Sequence, residues 1–359
     1  MQILFVVPYP VGVSPSQRFR FEQYFDALTS RGHVLKICTF VDIAVWAILY
    51  KPGNTSLKIK GVLFGFANRL LLLLSITKYD RVFIHREATP LGPPWFEWLA
   101  AKFFRRKIIY DFDDAIWLDN TSQENRLVSK LKWHSKVGLV CRMSYSVSCG
   151  NEYLRNYASR FNTRAYLNPT TIDTYHLHNA ALHIKDQLLD YVTIGWTGTH
   201  STIKYLAPLM PIIEEIERRN PGRIRFLVIA DKKPAHLNFF THFKKWSREN
   251  EIEDLMCIDI GVMPLTNDQW ALGKCGFKIL QYMSLEITAV ASAVGENLKI
   301  IDHGQNGFLC NKDSEWLATL ENLILNAPIR KSIGKEGRKK VMSSYSIESN
   351  SDNFLSLFE

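Results

Sequence analysis

The stretch Gly273-Lys-Cys-Gly-Phe-Lys-Ile-Leu-Gln-Tyr-Met283 decides the fold class of this chain. One apolar run, Ile258–Leu265, precedes it, and a second, Ala289–Gly295, follows it. This order predicts a strand, a glycine loop with two lysines, a helix and another strand, as in a parallel α/β sheet. Backbone N–H groups at a helix N-terminus favour an anion, and lysine adds a positive charge. The stretch indicates either a site for a phosphorylated ligand or an ordinary strand–helix–strand connection with solvated lysines.

Apolar runs alternate with helix-length segments along both halves of the chain. The predicted strands are Ile3–Val7, Val34–Phe40, Arg81–His85, Lys107–Phe112, Tyr191–Trp196, Ile224–Ile229, Ile258–Val262 and Thr288–Ser292. Residues Ser16–Arg31 predict one amphipathic helix that ends at Gly32. The turn-rich segment Asn168–Asp173 separates the two series. The pattern therefore predicts an α/β protein with two parallel sheets.

Composition narrows the class of protein. A chain of 359 residues with 47% hydrophobic residues is long enough for two domains, each with its own core. Its six cysteines form no C-x-x-C pair, which argues against a zinc site or a disulfide framework and fits a reducing compartment. The first residues lack the basic region and cleavage site of a signal peptide and predict a buried strand.

The positive charge lies in the first half of the chain. Residues 1–150 contain 20 Lys and Arg against 11 Asp and Glu, whereas the remainder contains 24 of each kind. This imbalance favours an acidic partner. No nucleic-acid-binding motif is present, so we expect an anionic membrane surface or an anionic acceptor and no nucleic acid.

Two segments of this basic half are apolar or aromatic. Val62–Thr77 includes Asn68 and Arg69 and falls short of the ~20 apolar residues of a spanning helix, so it predicts a helix packed on the sheet, with lipid contact left open. Pro90–Lys107 combines aromatic residues with a basic end, which suits either a membrane interface or a core helix. We expect a cytoplasmic protein, peripheral at the inner face of the membrane.

The Ile258–Met283 segment resembles the donor-sugar motif of family 4 glycosyltransferases, in the bacterial branch that reads DIGIMPL…GKCGFKLLQYM. The match ends after Met283, because the Gly-Lys-Pro of the family is Glu286-Ile287-Thr288 here. The paired glutamates of the wider family fall on Gly273 and Gln281. The resemblance implies a GT-B architecture of two facing Rossmann-like domains and sugar transfer with retention of configuration. It also implies no cofactor and no bound metal.

The resemblance carries a division into domains. Asn168–Asp173 resembles the hinge of these enzymes, and the chain from Ile333 resembles their final helices, the last of which crosses back. It implies an acceptor-side domain of residues 1–170, joined by a C-terminal helix of about residues 345–359. A nucleotide-sugar domain of residues 171–344 completes the chain.

Donor-binding candidates come from two loops of the second half. Ile194–Thr202 is similar to the branch motif GWIGSPST, with His200 in place of proline. The candidates are Gly195, Gly198, Thr199, Ser201, Thr202, Lys274, Gly276 and Gln281. Glycines let the backbone approach a phosphate, hydroxyl groups donate hydrogen bonds, and Gln281 is expected to bond ribose. Ser201 or Thr202 could instead cap a helix.

Two lysines outside that group complete the expected donor site. Lys278 is the candidate for stabilising the leaving diphosphate. The Arg and Lys that the wider family uses after the first strand of this domain are not visible at that spacing, and Lys204 is a possible substitute. The helix of Trp246–Leu255 resembles a segment near the base-binding side, and its acidic composition predicts a solvated face.

Catalytic candidates in the first half are Asp113 and Asp114, which follow Asp111 at the end of a predicted strand. Asp-x-Asp is a weak signal for magnesium or manganese. By the resemblance, Asp113 takes the place of a histidine near the reacting sugar, where a carboxylate could accept the acceptor's proton. Capping of a following helix is the alternative.

Acceptor-side candidates are Gly12, Arg18, Arg20, Arg86 and Glu87. The loop after the first strand of a doubly wound sheet faces the crevice at the carboxyl ends of the strands. Arg18 and Arg20 are expected to meet a phosphate there or to be solvated. Arg86 and Glu87 are expected to anchor an acceptor or to form an internal salt bridge.

The combined expectation is a glycosyltransferase of cell-envelope or exopolysaccharide biosynthesis. Its donor would be a UDP- or GDP-linked sugar, and its acceptor a glycan or a lipid-linked glycan. Two alternatives stay open. One is an altered, non-catalytic GT-B protein, because of Gly273, Gln281, Glu286 and Thr288. The other is a basic membrane-binding protein whose second domain is only a scaffold.

Overall fold

The computed structural model describes residues 1–49, 51, 53–119, 132–183, 190–234 and 241–359. The chain divides into two compact units, one of Met1–Thr170 with Asn350–Glu359 and one of Thr171–Ser349. Each unit contains a six-stranded sheet in which all neighbouring strands are parallel. Each unit is therefore a Rossmann-like α/β fold, as the alternating sequence pattern predicts.

The first sheet has the strand order β2-β1-β3-β4-β5-β6. Its strands are β1 (Gln2–Val7), β2 (Val34–Thr39), β3 (Arg81–His85), β4 (Lys107–Phe112), β5 (Ser146–Cys149) and β6 (Ala165–Leu167). The helices before residue 170 are α1 (Pro15–Arg18), α2 (Phe25–Ser30), α3 (Ile43–Leu49), α4 (Thr55–Leu73), α5 (Trp95–Trp98), α6 (Lys136–Met143) and α7 (Glu152–Ser159). Short 3-10 turns lie at Glu22–Tyr24 and Ile76–Lys78, and a π-helical turn lies at Leu99–Phe103.

The second sheet has the order β12-β11-β10-β7-β8-β9. Its strands are β7 (Val192–Gly198), β8 (Ile224–Ala230), β9 (Thr241–Lys245), β10 (Ile260–Met263), β11 (Thr288–Ser292) and β12 (Phe308–Cys310). Its helices are α8 (Met210–Arg219), α9 (Glu251–Met256), α10 (Gln269–Leu272), α11 (Phe277–Ser284), α12 (Asn297–Ile300), α13 (Asp313–Leu325) and α14 (Ala327–Ser344). The chain ends with α15 (Ile347–Leu355) and a 3-10 turn, Ser356–Phe358. Two further 3-10 turns lie at Ala180–Leu182 and Ile203–Leu206.

Burial explains why the central strands read as unbroken apolar runs. All five residues of Ile3–Val7 are completely buried, as expected of a parallel strand covered on both faces. The C-terminal segment contributes to this cover, because Phe354 stacks on Tyr24 with ring centroids 4.3 Å apart. Phe358 lies 6.0 Å from the ring of Phe83. The last residues of the chain thus belong to the core of the first unit.

The segment Ser16–Arg31 does not form the single helix that its periodicity predicts. It breaks into α1, the 3-10 turn Glu22–Tyr24 and α2. The cause is tertiary, because Arg20 turns inward to bond a buried carboxylate, and Gln17 and Glu22 bond the backbone of the preceding loop. These contacts are stronger than the local preference for one continuous helix.

Helix α4 starts earlier than the predicted Val62 and is attached to the sheet by one arginine. The Arg69 side chain is buried and donates hydrogen bonds to the carbonyl oxygens of Val7, Thr39 and Ala88, at 3.0, 3.3 and 2.8 Å. Val7 and Thr39 are the last residues of β1 and β2. Burial lowers the pKa of this guanidinium to about 10. Arg69 therefore holds α4 against the carboxyl edge of the first sheet.

The side of α4 away from Arg69 is apolar and open to solvent. Its exposed large side chains, together with the residue that follows the helix, are Leu57, Ile59, Leu63, Phe64, Leu70, Leu71 and Leu74. Lys60 is exposed on the same helix. None of the helices in the described ranges is long and apolar enough to cross a membrane.

The acidic helix before β10 differs from its prediction. Glu251 and Asp254, which the sequence suggested on a solvated face, are buried in α9. Lys244 on β9 donates to Asp254 at 2.7 Å. Glu251 and Asp254 are therefore part of internal polar contacts, which composition alone does not reveal, whereas Glu253 is exposed as predicted.

Candidate active site

A buried carboxylate organises the carboxyl edge of the first sheet. Asp111 on β4 accepts hydrogen bonds from Arg20, from Ser148 at 2.6 Å and from His85 Nδ1 at 2.7 Å. Burial alone would raise the pKa of Asp111, but the positive charge of Arg20 and the His85 hydrogen bond lower it well below its usual value. Asp111 is therefore ionised at neutral pH and links β3, β4 and β5.

The structure uses Arg20 inside the unit instead of at a phosphate. Its side chain has no exposed surface, and besides Asp111 it donates to the carbonyl of Asn168. A buried guanidinium needs a buried anion, and Asp111 is that anion. Arg20 thus connects the start of the chain to the end of β6, and it is not placed to meet a ligand.

The two candidate catalytic carboxylates follow β4 and share one arginine. Arg86 Nε donates to Asp113 at 2.7 Å, and Arg86 Nη2 donates to Asp114 at 2.9 Å. Residues 115–119, the described part of the segment after Asp114, form turns and no helix, so capping of a helix that begins directly after these aspartates is not seen. Burial alone would lower the pKa of Arg86 and raise the pKa of Asp113. Their pairing outweighs burial, so the pKa of Arg86 is raised and that of Asp113 is lowered. This fork keeps both carboxylates at the edge of the sheet.

The fork depends on an unusual backbone conformation. Arg86 has φ of +58°, a left-handed value that non-glycine residues seldom adopt. Its N–H donates to the carbonyl of Asp111 at 2.7 Å, and its carbonyl accepts from the Tyr110 hydroxyl at 2.6 Å. Non-glycine residues with this conformation cluster at functional sites. Arg86 therefore forms the internal salt bridge that the sequence left as one of two options.

Glu87 lies beside this fork but pairs elsewhere. Its carboxylate is 2.8 Å from Lys136 Nζ, and the same lysine donates to the carbonyl of Thr89 at 2.7 Å. Glu87 thus attaches α6 to the loop after β3. This pairing accounts for Glu87 without an acceptor.

The loop after β1 is held in one shape by two side chains that follow it. Gly12 N–H donates to Glu22 at 2.8 Å, and Gln17 bonds both the N–H and the carbonyl of Tyr9. Gly12 has φ of +82°, which glycine adopts without strain. Burial raises the pKa of Glu22. Gly12 therefore serves the shape of this loop at the same edge of the sheet as Asp113.

Arg18 is more buried than a solvated helix-start residue. It is 9% exposed, and its guanidinium lies 4.8 Å from the centroid of the Phe19 ring. Its charge also lowers the pKa of Glu22, although burial has the larger effect on that carboxyl. Arg18 therefore lies near Glu22, the residue that holds the Gly12 loop, and is not solvated.

In the second unit, the loop after β7 is rich in hydroxyl groups and closes on itself. Thr199 N–H donates to Thr202 Oγ1 at 3.1 Å, and the hydroxyl oxygens of Thr199 and Ser201 are 2.8 Å apart. Thr199 and Ser201 are exposed. The residues following Thr202 form only a 3-10 turn, and Thr202 makes no capping bond there. The loop therefore presents hydroxyl groups to solvent beyond the carboxyl end of β7.

The two glycines of this segment, Gly195 and Gly198, are required for different structural reasons. A Cβ at Gly195 would lie 2.4 Å from the side chain of Ile258, so this glycine permits packing inside the sheet. A Cβ at Gly198 would lie 2.4 Å from the ring of Trp196 and 2.9 Å from Thr202 Oγ1. Gly195 is therefore not a phosphate-contacting position, whereas Gly198 shapes the start of the loop.

The start of α11 brings the predicted lysines near aromatic rings. Lys278 Nζ lies 5.4 Å from the ring centroid of Trp196, and Lys274 Nζ lies 5.0 Å from that of Trp270. Gly276 precedes the helix with φ of +68°, and a Cβ there would lie 2.1 Å from Ile300. Both lysines are partly exposed. The left-handed turn at Gly276 thus directs the chain into α11 with two cations at its start.

Gln281 is not available to a ribose in this arrangement. It is 3% exposed, and its amide nitrogen lies 3.4 Å from Glu251 Oε1 and 3.4 Å from His178 Nε2. The reason is its place in α11, because this helix is buried over its whole length from Ile279 to Ser284. Gln281 connects α11 to α9 and to the segment that begins the second unit.

Two polar pairs were missed by the sequence reasoning. His85, which pairs with Asp111, was quoted there only as the end of a strand. His200 was noted only as a replacement for proline, and its N–H and Nδ1 both lie 2.6 Å from Asp231, the residue after β8. The available signal was that each of these four residues lies at or just beyond the carboxyl end of a strand.

The three aspartates of the Asp-x-Asp segment are already bonded to cations. No group of three or more His, Cys, Asp or Glu side chains within the described ranges is placed to hold a metal ion. Asp111 faces Arg20 and His85, while Asp113 and Asp114 face Arg86. The Asp-x-Asp pattern is thus divided between two separate ion pairs.

Comparison with known proteins finds a family match in the second unit. Residues 191–326 match the family model described as "Glycosyl transferases group 1". Over these residues the second unit is therefore similar to group 1 glycosyltransferases, and the family resemblance of its sequence is confirmed at that level. None of the curated proteins compared with the chain matches it.

Solved structures confirm the GT-B fold class. A glycosyltransferase from Rickettsia africae has a TM-score of 0.71 at 14% identity, with 99% of this chain and 97% of that one covered. Sucrose-phosphate synthase from Thermosynechococcus elongatus has a TM-score of 0.68 at 13% identity, with 100% and 98% covered. HepE from Anabaena, in complex with UDP and glucose, has a TM-score of 0.62 at 13% identity, with 99% and 98% covered. At these identities the likeness establishes the fold.

Proposed function

We propose that this protein is a retaining glycosyltransferase that moves a hexosyl group from a nucleotide-sugar donor to a glycan or lipid-linked acceptor of the cell envelope. The observation that carries the proposal is the convergence of two loops in the second unit. Thr197 N–H donates to the Tyr282 hydroxyl at 3.0 Å, and Lys278 lies over Trp196. The hydroxyl loop after β7 and the lysines at the start of α11 thus adjoin. Hydroxyls, backbone N–H groups and lysines suit a diphosphate.

The solved structures support a UDP-linked donor. HepE from Anabaena, which has the same fold, was solved with UDP, with UDP and glucose, and with UDP-glucose. A GDP-linked sugar is the alternative donor. When the sugar–phosphate bond breaks, negative charge grows on the leaving diphosphate, and we assign its stabilisation to Lys278 with help from Lys274.

The acceptor is assigned to the first unit. Asp113 would accept the proton that an acceptor hydroxyl loses, while Asp114 and Arg86 hold Asp113 in place. The donor side supplies its own positive charges through the lysines. We therefore propose that transfer needs no bound metal and no resident cofactor.

A nucleotide screen followed by a turnover assay tests this function. Thermal unfolding is measured with UDP, GDP, ADP and their sugars, because binding to the native state raises stability by ~2.7 kcal/mol at a hundredfold excess over Kd. The best donor is then offered with glycan and lipid-linked acceptors, with and without EDTA. We expect one nucleotide to stabilise the protein and EDTA to leave turnover intact. Loss of turnover with EDTA and its recovery with manganese would overturn the metal-free mechanism.

We also propose that the first unit binds the inner face of the membrane peripherally. Two observations support this proposal: the net positive charge of the first half and the exposed apolar side of α4. An amphipathic helix with apolar residues on one side and nearby lysines lies in a lipid interface. Lys60 on α4 and Lys51 just before it supply such charges, and both are exposed.

A specific observation favours one alternative, an altered protein that binds a nucleotide without transferring sugar. At the two positions where the wider family resemblance places paired glutamates, this chain has Gly273 and Gln281. Gln281 is buried against Glu251 and His178. Under this alternative, the screen finds a stabilising nucleotide, but none of the donor–acceptor combinations gives product. Membrane binding without nucleotide binding would instead favour a protein that uses its second unit only as a scaffold.

A further inference from the structure

We propose that His85 acts through Asp113 as a proton-relay residue, taking up the proton that the acceptor hydroxyl loses. This inference rests on the proposed sugar transfer. It adds a residue to which neither the family motif nor the comparisons give a role. His85 is the last residue of β3, next to β1 and β4 in the first sheet.

The two ring nitrogens of His85 have different surroundings. Nδ1 is 2.7 Å from Asp111 Oδ2. Nε2 is buried and has no hydrogen-bond partner within the described residues, and it lies 4.0 Å from Asp113 Oδ1. The side chain of His85 has no exposed surface. Buried polar atoms in folded proteins are nearly always hydrogen-bonded, so an unpartnered nitrogen facing a candidate catalytic carboxylate calls for a functional reason.

The partner of Nδ1 determines which nitrogen can change its charge. Asp111 has a lowered pKa, so its carboxylate is ionised and can only accept hydrogen bonds. The ring proton therefore stays on Nδ1, and Nε2 carries the lone pair of the neutral imidazole. Nε2 and the Asp113 carboxylate are then two acceptors without a proton between them, which agrees with a separation beyond hydrogen-bond length.

The proton balance of the step follows from this arrangement. The acceptor oxygen forms a bond to the anomeric carbon, and the bond from that carbon to the phosphate oxygen breaks, so the nucleoside diphosphate leaves with the electron pair. The acceptor proton passes to Asp113 and from there to His85 Nε2. The products of the relay are an ionised Asp113 and an imidazolium that Asp111 stabilises.

The surrounding charges explain why Asp113 passes the proton on. Arg86 bonds Asp113 directly and favours its ionised form, so Asp113 holds a proton poorly. Arg20 bonds Asp111 beside His85. Glu22 is also close enough to His85 to interact with it electrostatically. Three carboxylates, Asp111, Asp113 and Asp114, face two guanidiniums, which leaves one negative charge for an imidazolium to balance.

The first test uses the unmodified protein and needs no turnover. Nitrogen NMR of histidine-labelled protein distinguishes the two tautomers. At neutral pH, without substrate, we expect His85 to be neutral, with its proton on Nδ1 and with Nε2 unprotonated. A neutral ring with its proton on Nε2, or an imidazolium throughout the pH range of activity, would overturn the relay. Because this readout is independent of catalysis, it stands even if the proposed sugar transfer fails.

The second test compares His85→Gln with Ser148→Ala, since each removes one hydrogen bond to Asp111 but only the first removes Nε2. For His85→Gln we expect kcat to fall about hundredfold, the KM for the donor to stay within about twofold, and the pH profile of kcat to change shape. Ser148→Ala should lower kcat much less and keep the profile of the parent. Equal losses with unchanged profiles would show a purely structural role. If His85→Gln does not fold, the NMR result decides.

Discussion

Three aspartates that are close in sequence have different roles at the carboxyl edge of the first sheet. Asp111, Asp113 and Asp114 lie within four positions, yet Asp111 is enclosed by Arg20, His85 and Ser148 while the other two share Arg86. The reason is that β4 ends at Phe112, so Asp111 lies within the buried strand whereas Asp113 and Asp114 lie in the bend that follows it. Asp111 is structural, and Asp113 is the candidate for chemistry.

At the donor site, we predict that Lys278→Ala lowers kcat/KM about a hundredfold and Lys274→Ala much less. Lys278 lies in the first turn of α11 and next to Trp196 at the end region of β7, whereas Lys274 lies before the Gly276 turn and over Trp270. One lost charge-stabilising contact can cost ~3 kcal/mol in the transition state. Steady-state kinetics with the best donor from the nucleotide screen measures both. Parent-like turnover in both variants would contradict the assignment of these lysines to the diphosphate of the donor.

The position where the family has glycine offers a stability prediction. Glu286 is exposed and has φ of +59°, so it adopts the left-handed conformation that glycine adopts without strain and other residues adopt only at a cost. We expect Glu286→Gly to raise the free energy of unfolding by about 1 kcal/mol. Urea denaturation measures the change, and Glu348→Gly in the first turn of α15 is the matched control, expected to lower stability. A destabilised Glu286→Gly would contradict the strain argument.

The buried carboxylate of Asp111 predicts how the free energy of unfolding depends on pH. The folded-state pKa of Asp111 is lowered, since Arg20 and His85 outweigh its burial. Its contribution is therefore complete only above about pH 5, well above the unfolded-state pKa of ~3.9, and is lost as the pH falls from there toward the folded-state pKa.

We expect Asp111→Asn to be less stable than the parent at pH 7 by about 3–5 kcal/mol, because Arg20 loses its anion. The difference should narrow as the pH falls below about 4. Chemical denaturation of both proteins across this pH range measures it. A difference that stays constant with pH would show that Asp111 is not ionised in the folded protein.

Helix α4 illustrates how one element can combine an anchored side and an open side. Arg69 bonds three backbone carbonyls at the sheet edge, while Leu63 and Leu70 are 63% and 57% exposed. The glycine at position 65 permits this close approach, because a Cβ there would lie 2.6 Å from the carbonyl oxygen of Phe40. The helix is thus held by polar contacts on one side and leaves its apolar residues to another environment.

We predict that Arg69→Met lowers the free energy of unfolding by about 3 kcal/mol. Methionine keeps the packing of the apolar stem but removes the donors to Val7, Thr39 and Ala88, and a buried acceptor left unpaired costs about 1–3 kcal/mol. Leu70→Ser on the open side is the matched control, expected within about 0.5 kcal/mol of the parent. Urea denaturation compares the two. Equal stabilities would mean that α4 is held by its other contacts.

At the scale of the whole molecule, charge and exposed apolar surface are concentrated in the first unit. Basic residues near an anionic leaflet contribute about 1 kcal/mol each, and α4 spans ~28 Å along its axis at 1.5 Å per residue. We predict that the protein sediments with anionic liposomes at low salt and is released at high salt. Retention in the supernatant at low salt would reject membrane binding, although sugar transfer to a soluble acceptor would remain.

Substitutions on α4 separate lipid contact from charge alone. We expect Leu63→Ser combined with Phe64→Ser and Leu71→Ser to abolish sedimentation without changing the fold, because all three side chains are exposed. Leu298→Ser, at an equally exposed leucine of the second unit, should bind liposomes like the parent. Loss of binding in both variants would argue against α4 as the contact surface.

The sequence by itself determined the fold class and the positions of the central strands. Arg81–His85, Lys107–Phe112 and Thr288–Ser292 were predicted with the bounds that the structure shows, because strands covered on both faces form mostly apolar runs that stand out in the sequence. The short strands β5, β6, β9 and β12 were not predicted. Their few residues carry little periodic signal and form strands only by pairing with neighbouring strands of the two sheets.

Only the tertiary structure decided the partners of the polar side chains. Ser16–Arg31 looked like one helix and Gln281 like a ligand contact, but Arg20 reaches Asp111 across 91 positions and Gln281 reaches His178 across 103. Local patterns report which residues are apolar and how they repeat. They do not report which charged side chains pair with each other across the chain. A buried charged side chain is costly without a partner, so the position of that partner, which is often distant in sequence, determines where the side chain lies.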